Sequence, residues 1–334
     1  MNFVTYPLRT YDTDMRIQSL ATAGEIGIFF LLVMMSTPGF VARQLNKPAS
    51  GILVAHLADG DKKGIEPIRK IFAMKNPGYE LDYLSGKTTI KKSDKEAQIV
   101  FIQTGTTNVT LTSGESSQVS VGDIVLLRKG EGLVADSALN MLVFTAPEAP
   151  SMEIPSFVRP DWDPKITDTP GGCATETNAY RRILLTWLEK VGAYQYHNLN
   201  AHRVRIMDSF SHYHPLEGGF DEFYLVQMVL PGGKLLTSDQ VSLIETPEQI
   251  TENQAKGLIF ETPLAVGDLV YIPRGVMHRG VGGVLAQVIT VPGFVPGSEI
   301  GVDHHLRKIS ERFGLEGENA LPYNVDASDR AVIK

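Results

Sequence analysis

The feature that most constrains the fold of this 334-residue chain is the shortness of its β-type segments. Runs at 98–103, 109–112, 123–127, 204–207, 223–229 and 284–291 are rich in Val, Ile, Leu and Phe, and Gly, Pro, Asn or Asp separates them. Many short strands punctuated in this way are the pattern of barrels and sandwiches. Helical patterns are few. Asn178 can cap a helix through 180–188, whose apolar residues recur every three or four positions and which Gly192 would end. A second helix is expected over 304–313, stopped by Gly314. The stretch 146–172 holds six prolines, too many for a regular element, and reads as a connection between two β domains.

A duplication is written into the chain. Gly122-Asp123-Ile124-Val125-Leu126-Leu127-Arg128-Lys129-Gly130-Glu131-Gly132-Leu133 aligns without a gap onto Gly267-Asp268-Leu269-Val270-Tyr271-Ile272-Pro273-Arg274-Gly275-Val276-Met277-His278. A repeat of this kind is best explained by two copies of one domain.

Composition narrows the function. With 43% hydrophobic and 21% charged residues the chain can bury a real core. Its net charge of −7 gives nucleic acid or an anionic membrane surface no reason to bind, so neither is an expected partner. The most apolar run, 26–35, is ten residues long, about half of the ~20 that span a bilayer. Asp12, Asp14 and Glu25 precede it, which makes a poor export signal, and it reads as a buried strand or short core helix. Cys173 is the single cysteine, so no internal disulfide can form, and a reducing cytoplasm is the expected compartment.

The chemistry gathers in the second half. His212 and His214 are two apart and would project from one face of a strand. Glu217 follows, and then Glu222 immediately before an apolar strand. Gly267-Asp268 turns into the strand 269–272, Pro273 and Gly275 end it in a bend, and His278 returns inward. Three imidazoles and one carboxylate suit a divalent first-row transition metal with open positions for water or substrate.

These segments resemble the two motifs of the cupin superfamily, Gly-x5-His-x-His-x3-4-Glu-x6-Gly and Gly-x5-Pro-x-Gly-x2-His-x3-Asn. The second motif is present from Gly267 to His278, with Gly282 in place of the final Asn. The first is irregular: two residues separate His214 from Glu217 and seven separate it from Glu222. Glu222 is preferred as the carboxylate ligand, because it enters the strand as the pattern implies. Glu217 would then face the substrate or support the ligands from the loop 216–220. In the first half Leu133 and Arg128 stand where His278 and Pro273 stand in the second, and Glu96 has no histidine partners. The resemblance covers roughly 50–145 and 195–295. It implies an all-β bicupin of two double-stranded β-helix (jelly-roll) barrels with a few short helices. The expected organisation is a degenerate first barrel at 1–145, a Pro-rich linker and helix at 146–192, a metal-binding barrel at 193–300, and a helix and tail at 301–334.

Strand parity adds further candidates. Tyr224, two after Glu222, would line the pocket, and Gln287 on the following strand would reach a bound substrate. Arg203, Arg205 or Arg274 could pair with a substrate carboxylate. His197, His202, His304 and His305 have no motif around them and read as surface or tail residues. The expected cofactor is one divalent metal per chain, Fe2+ before Mn2+, Zn2+ or Ni2+. The expected partner is a small-molecule substrate, and exposed barrel edges would suit a homodimer. Three functions are compatible with such a site: a dioxygenase-like oxidoreductase, ranked first by resemblance; a metal-dependent isomerase, epimerase or lyase of a sugar or small acid; and a non-catalytic binding protein.

Overall fold

The computed structural model of the chain describes residues 50–59, 63–169, 180–188 and 191–334. The apolar run at 26–35, Cys173 and Asn178 lie outside these residues. In chain order the first elements are β1 (Leu53–His56), α1 (Ile65–Lys75), β2 (Glu80–Ile90), β3 (Ala97–Thr104), β4 (Thr107–Leu111), β5 (Ser116–Val119), β6 (Ile124–Arg128), β7 (Leu133–Ala146) and β8 (Phe157–Val158). The second half adds β9 (Arg181–Leu185), β10 (Asn200–Asp208), β11 (His212–Tyr213), β12 (Asp221–Val229), β13 (Lys234–Ser238), α2 (Val241–Ile244) and α3 (Glu252–Lys256). It closes with β14 (Phe260–Pro263), β15 (Asp268–Ile272), β16 (Met277–Val291), β17 (Ile300–Gly301) and α4 (Asp303–Phe313). Each of the six strand segments expected from sequence falls on an observed strand. Among the described residues no helix is long and apolar enough to cross a membrane.

The strands form two antiparallel sheets. One runs β5-β4-β7-β3-β6-β8 with β2 beside β7, and the other runs β1-β15-β12-β16-β10-β9 with β11, β13, β14 and β17 joined to it. The long strand β16 closes the second sheet on itself. Its later part pairs with β10 and β12, and its first five residues pair with β13. Gly282 and Gly283, at φ 81° and 90°, make the bend between the two parts. A Cβ on Gly282 would lie 2.5 Å from the Gly232 carbonyl oxygen, so this position, where the motif has Asn, has room only for glycine.

The central strands are buried on both faces, and the alternation assigns each face. In β12, Tyr224 and Val226 point into the second barrel with Val204, Val270 and Val288, whereas Phe223 and Leu225 point outward into a core shared with the first barrel. In β3, Val100 and Ile102 fill the first barrel, and Ile99 and Phe101 join the shared core. Helix α1 supplies the wedge between them: the Phe72 ring lies 5.8 Å from Phe144, 5.2 Å from Phe223 and 6.4 Å from Tyr271, edge-on to each. Such rings contribute both buried area and edge-to-face attraction.

The duplication has a structural counterpart. Gly122 and Gly267 both have positive φ, at 97° and 91°. Each following aspartate accepts a hydrogen bond from the backbone N–H three residues earlier, Ser120 to Asp123 and Ala265 to Asp268, both at 2.8 Å. The same turn therefore launches β6 in the first barrel and β15 in the second.

Two expectations need correction, on residues 181–185 and on the division at 145, whereas the helix expected over 304–313 is found. Residues 181–185 are strand β9, not helix: they pair with β10 at Val204↔Arg181 through Ala201↔Leu185, and an available sheet edge outweighs a weak helical period. The division at 145 does not follow the sheets. Strand β1 joins the second sheet through His56↔Asp268 to Leu53↔Tyr271, and β8, within the Pro-rich stretch, extends the first sheet beside β6. The helix after the second barrel runs from Asp303 to Phe313 and ends at Gly314, whose φ of 58° caps it. The tail then packs back, with Ile333 bridging to Ile300.

Candidate metal centre

Three backbone carbonyls fix the histidines. His212 Nδ1 lies 3.1 Å from the Phe210 oxygen, His214 Nδ1 3.1 Å from the Phe220 oxygen, and His278 Nδ1 3.2 Å from the Val276 oxygen. A carbonyl only accepts, so each Nδ1 carries the proton and each Nε2 presents a lone pair. The rings are also clamped by packing, His212 on Phe210 at 4.4 Å and His214 on Phe220 at 3.9 Å. Strand register does the rest: His212 sits directly opposite His278, and His278 opposite Thr237, so these residues share one face.

The three rings offer ligand atoms within 4.8 Å of one another, and all three residues are buried. Glu222 completes the group, with Oε1 3.3 Å from His278 Nε2 and Oε2 3.8 Å from His214 Nε2. Among the described residues none of the three Nε2 atoms nor Glu222 Oε1 has a hydrogen-bond partner. Burial, and next the neighbouring His278, hold His212 and His214 well below the usual histidine range, so both are neutral. Three imidazole nitrogens and a carboxyl group, buried and converging without hydrogen-bond partners for the Nε2 atoms or Glu222 Oε1 among the described residues, form a group that a cation would satisfy. The donor set fits a divalent transition metal.

The surroundings hold these side chains in place. Asp221, beside Glu222, is fully buried and accepts from Asn76 Nδ2 (2.6 Å), Tyr271 OH (2.8 Å), and Arg274 N and Nε (2.9 and 3.0 Å). Burial pushes its carboxyl up, but the Arg274 and Asn76 contacts together outweigh that and hold it below the ordinary aspartate value. Asp303, at the start of α4, accepts from Ser211 N at 2.7 Å and Asn324 N at 2.8 Å, which pins the residue before His212.

The remaining candidates separate. Tyr224 is buried with its ring edge toward His278, centroids 6.5 Å apart, in the second barrel's interior as parity predicted. Glu217 lies exposed in the turn after His214 and is not among the clustered groups. Gln287 faces the wrong way. It pairs with Leu225, on the shared-core face, and its amide donates 2.8 Å to the Gly122 carbonyl while its oxygen accepts from Gln227 at 3.1 Å. The parity argument failed here because Gln287 lies an odd number of residues from the inward Val288 and Thr290. Arg274 is held by Asp221 and Asn76, and Arg203 by Gln227 (2.8 Å) and Asp161 (2.5 Å); neither is placed at the cluster. Arg205 is exposed and lines a separate cavity with Tyr180.

Four nearby residues were missed. Thr290 pairs with Glu222 on one side and Asn200 on the other, so it shares the inward face, and its buried hydroxyl has no partner among the described residues. Counting alternate residues from Glu222 across the register would have found it. Thr237 faces His278 in the same way. His202 is buried, not a surface residue, and desolvation, then the charge of Arg181, lowers it to about 3. Glu299 follows an irregular segment that no periodicity reaches; burial, then the charge of Glu222, push its carboxyl up to about 7.

No protein-family model matches the chain, and neither does any curated protein. Solved structures similar to it include the oxalate decarboxylase of Lactobacillus farciminis in its formate complex (15% identity, covering 75% of this chain and 85% of that one, TM-score 0.42). A Cupin 2 conserved barrel domain protein from Leptotrichia buccalis is also similar (12%, 65% and 85%, TM-score 0.40). A third is procruciferin, an 11S globulin of Brassica napus (10%, 77% and 89%, TM-score 0.45). The chain itself holds two antiparallel β-sheets, and the histidine cluster belongs to the second.

Proposed function

We propose that His212, His214, Glu222 and His278 bind one divalent transition metal, Fe2+ before Mn2+, Zn2+ or Ni2+, and that the protein is a metal-dependent enzyme of a small organic substrate. The observation that carries this is the convergence of three buried imidazole Nε2 atoms and the Glu222 carboxyl group, without hydrogen-bond partners for the Nε2 atoms or Glu222 Oε1 among the described residues. A bound metal would supply Lewis acidity and, if iron, redox reactivity toward dioxygen. The reading placed first is a dioxygenase-like oxidation. Behind the cluster the barrel is filled by Val204, Val226, Val270 and Val288, a dry wall suited to chemistry that must exclude water. A second reading, a metal-assisted isomerase or lyase, is favoured by Glu299, whose carboxyl near 7 is suited to moving a proton at neutral pH.

Metal analysis of protein isolated without added metal is the test. Iron together with substrate-dependent oxygen uptake supports the first reading; a different divalent metal with activity unchanged under argon supports the second. Protein that holds no metal while all four side chains are intact refutes both. His278→Ala should empty the site and Glu217→Ala should leave it filled. Loss of metal from Glu217→Ala but not from Glu222→Ala would move the carboxylate ligand to the loop.

A further inference from the structure

A chamber of about 300 Å³ opens beside the cluster, and its position follows from the sheet register. Glu222 on β12, Thr290 on β16 and Asn200 on β10 sit side by side in one inward row, and the next row is Tyr224, Val288 and His202, with Ile183 beyond on β9. The chamber is lined from these rows by Asn200, His202 and Ile183, and from the far side by Phe294 and Glu299. Its Asn200 wall is therefore in the same inward row as Glu222, although none of the four clustered groups lines it directly. Glu299 lies near enough to both that the charges of Glu222 and His278 act on it.

We propose that this chamber binds a small monocarboxylate with a compact apolar body, its anionic end held by Arg181 and Lys334 and its body against Ile183 and Phe294. This rests on the metal-centre reading in that the chamber would present its occupant to that centre. Both cations line the chamber, and both act electrostatically on Glu299. A guanidinium matches a carboxylate with two parallel hydrogen bonds, and burial strengthens them. The His202 Nε2 atom, on a lining residue 7% exposed, is buried with no hydrogen-bond partner among the described residues. It is a polar group that a ligand would satisfy. His202 is neutral, so it adds a polar contact and no charge. The single acid of the lining, Glu299, keeps its proton to about pH 7 and so does not cancel the two cations below that pH. At about 300 Å³ the chamber is at the small end of ligand sites, which suits an organic acid and is too small for a nucleotide or an oligosaccharide.

The test uses para-fluorobenzoate, with para-fluorobenzamide as its neutral counterpart, followed by fluorine NMR. Chelator-treated full-length protein should bind the benzoate saturably and the benzamide at least about tenfold more weakly, the ratio that losing one charge-assisted hydrogen bond implies. Arg181→Gln should weaken the benzoate by a similar factor. Lys334→Gln, at an exposed position where folding is not at stake, should weaken it severalfold. On protein loaded with Mn2+ the bound fluorine signal should broaden, which places the probe beside the metal. Equal affinity for the two probes, or an affinity unchanged in both variants, would overturn the proposal. So would a metal-loaded protein that binds benzoate without broadening. Protein that takes up no metal yet binds benzoate in an Arg181-dependent way would sink the metal reading and leave the carboxylate pocket standing.

Discussion

Replacing Glu299 with Gln should change how the stability of this protein depends on pH, and the structure sets the size of the effect. Glu299 is 5% exposed, and its carboxyl is moved from 4.5 up to about 7, by burial first and by the charge of Glu222 second. In the unfolded chain the same group ionises at its ordinary value. Between the two values the unfolded state has released a proton that the folded state keeps, so stability falls as pH rises. The contribution is complete below 4.5 and is lost as pH passes about 7. A gap from 4.5 to about 7, at ~1.36 kcal/mol per pH unit, is worth about 3 kcal/mol. Urea unfolding of native protein and Glu299→Gln across this window measures it. Chelator is needed throughout, because a cation held nearby would favour the charged carboxylate. His202, His212 and His214, all held below 6.5, act in the opposite sense, and they cancel when the variant is subtracted. The stability of native protein relative to the variant should fall by about 3 kcal/mol over the window. A difference that stays level to within about 1 kcal/mol, or one that grows with pH, refutes the assignment.

Two further predictions concern how the site is held. Asp221→Ala leaves Arg274, Tyr271 and Asn76 facing a buried space without their shared acceptor, and should cost about 3–5 kcal/mol in urea unfolding; a loss under about 1 kcal/mol would show the network is solvated. Phe72→Ala removes the wedge common to both barrels and should cost about 3–5 kcal/mol. If the second barrel keeps its full stability while only the first is weakened, the shared core is not a single cooperative unit.

The sequence by itself determined the β class, the duplication and the three histidines, because each depends on local spacing. A two-residue period puts His212 and His214 on one face, and a glycine turn with a set number of residues brings His278 back inward. The same local logic explains why the helix ending at Gly314 was legible: a left-handed cap is a property of one residue. Tertiary structure alone decided the rest. Residues 181–185 carry a plausible helical period, but the open side of β10 in the barrel sheet offered them a ladder of hydrogen bonds. Gln287 looked inward until the register with Leu225 placed it on the opposite face, since a one-residue error reverses every side chain of a strand. Glu222 was preferred over Glu217 from its place before a strand, but its burial beside His278, against the exposure of Glu217, is something no count along the chain reports. The chamber residues Arg181, His202, Glu299 and Lys334 come from four separate stretches. Their proximity is a consequence of barrel closure and of the tail packing back along Ile300, and closure is non-local by nature.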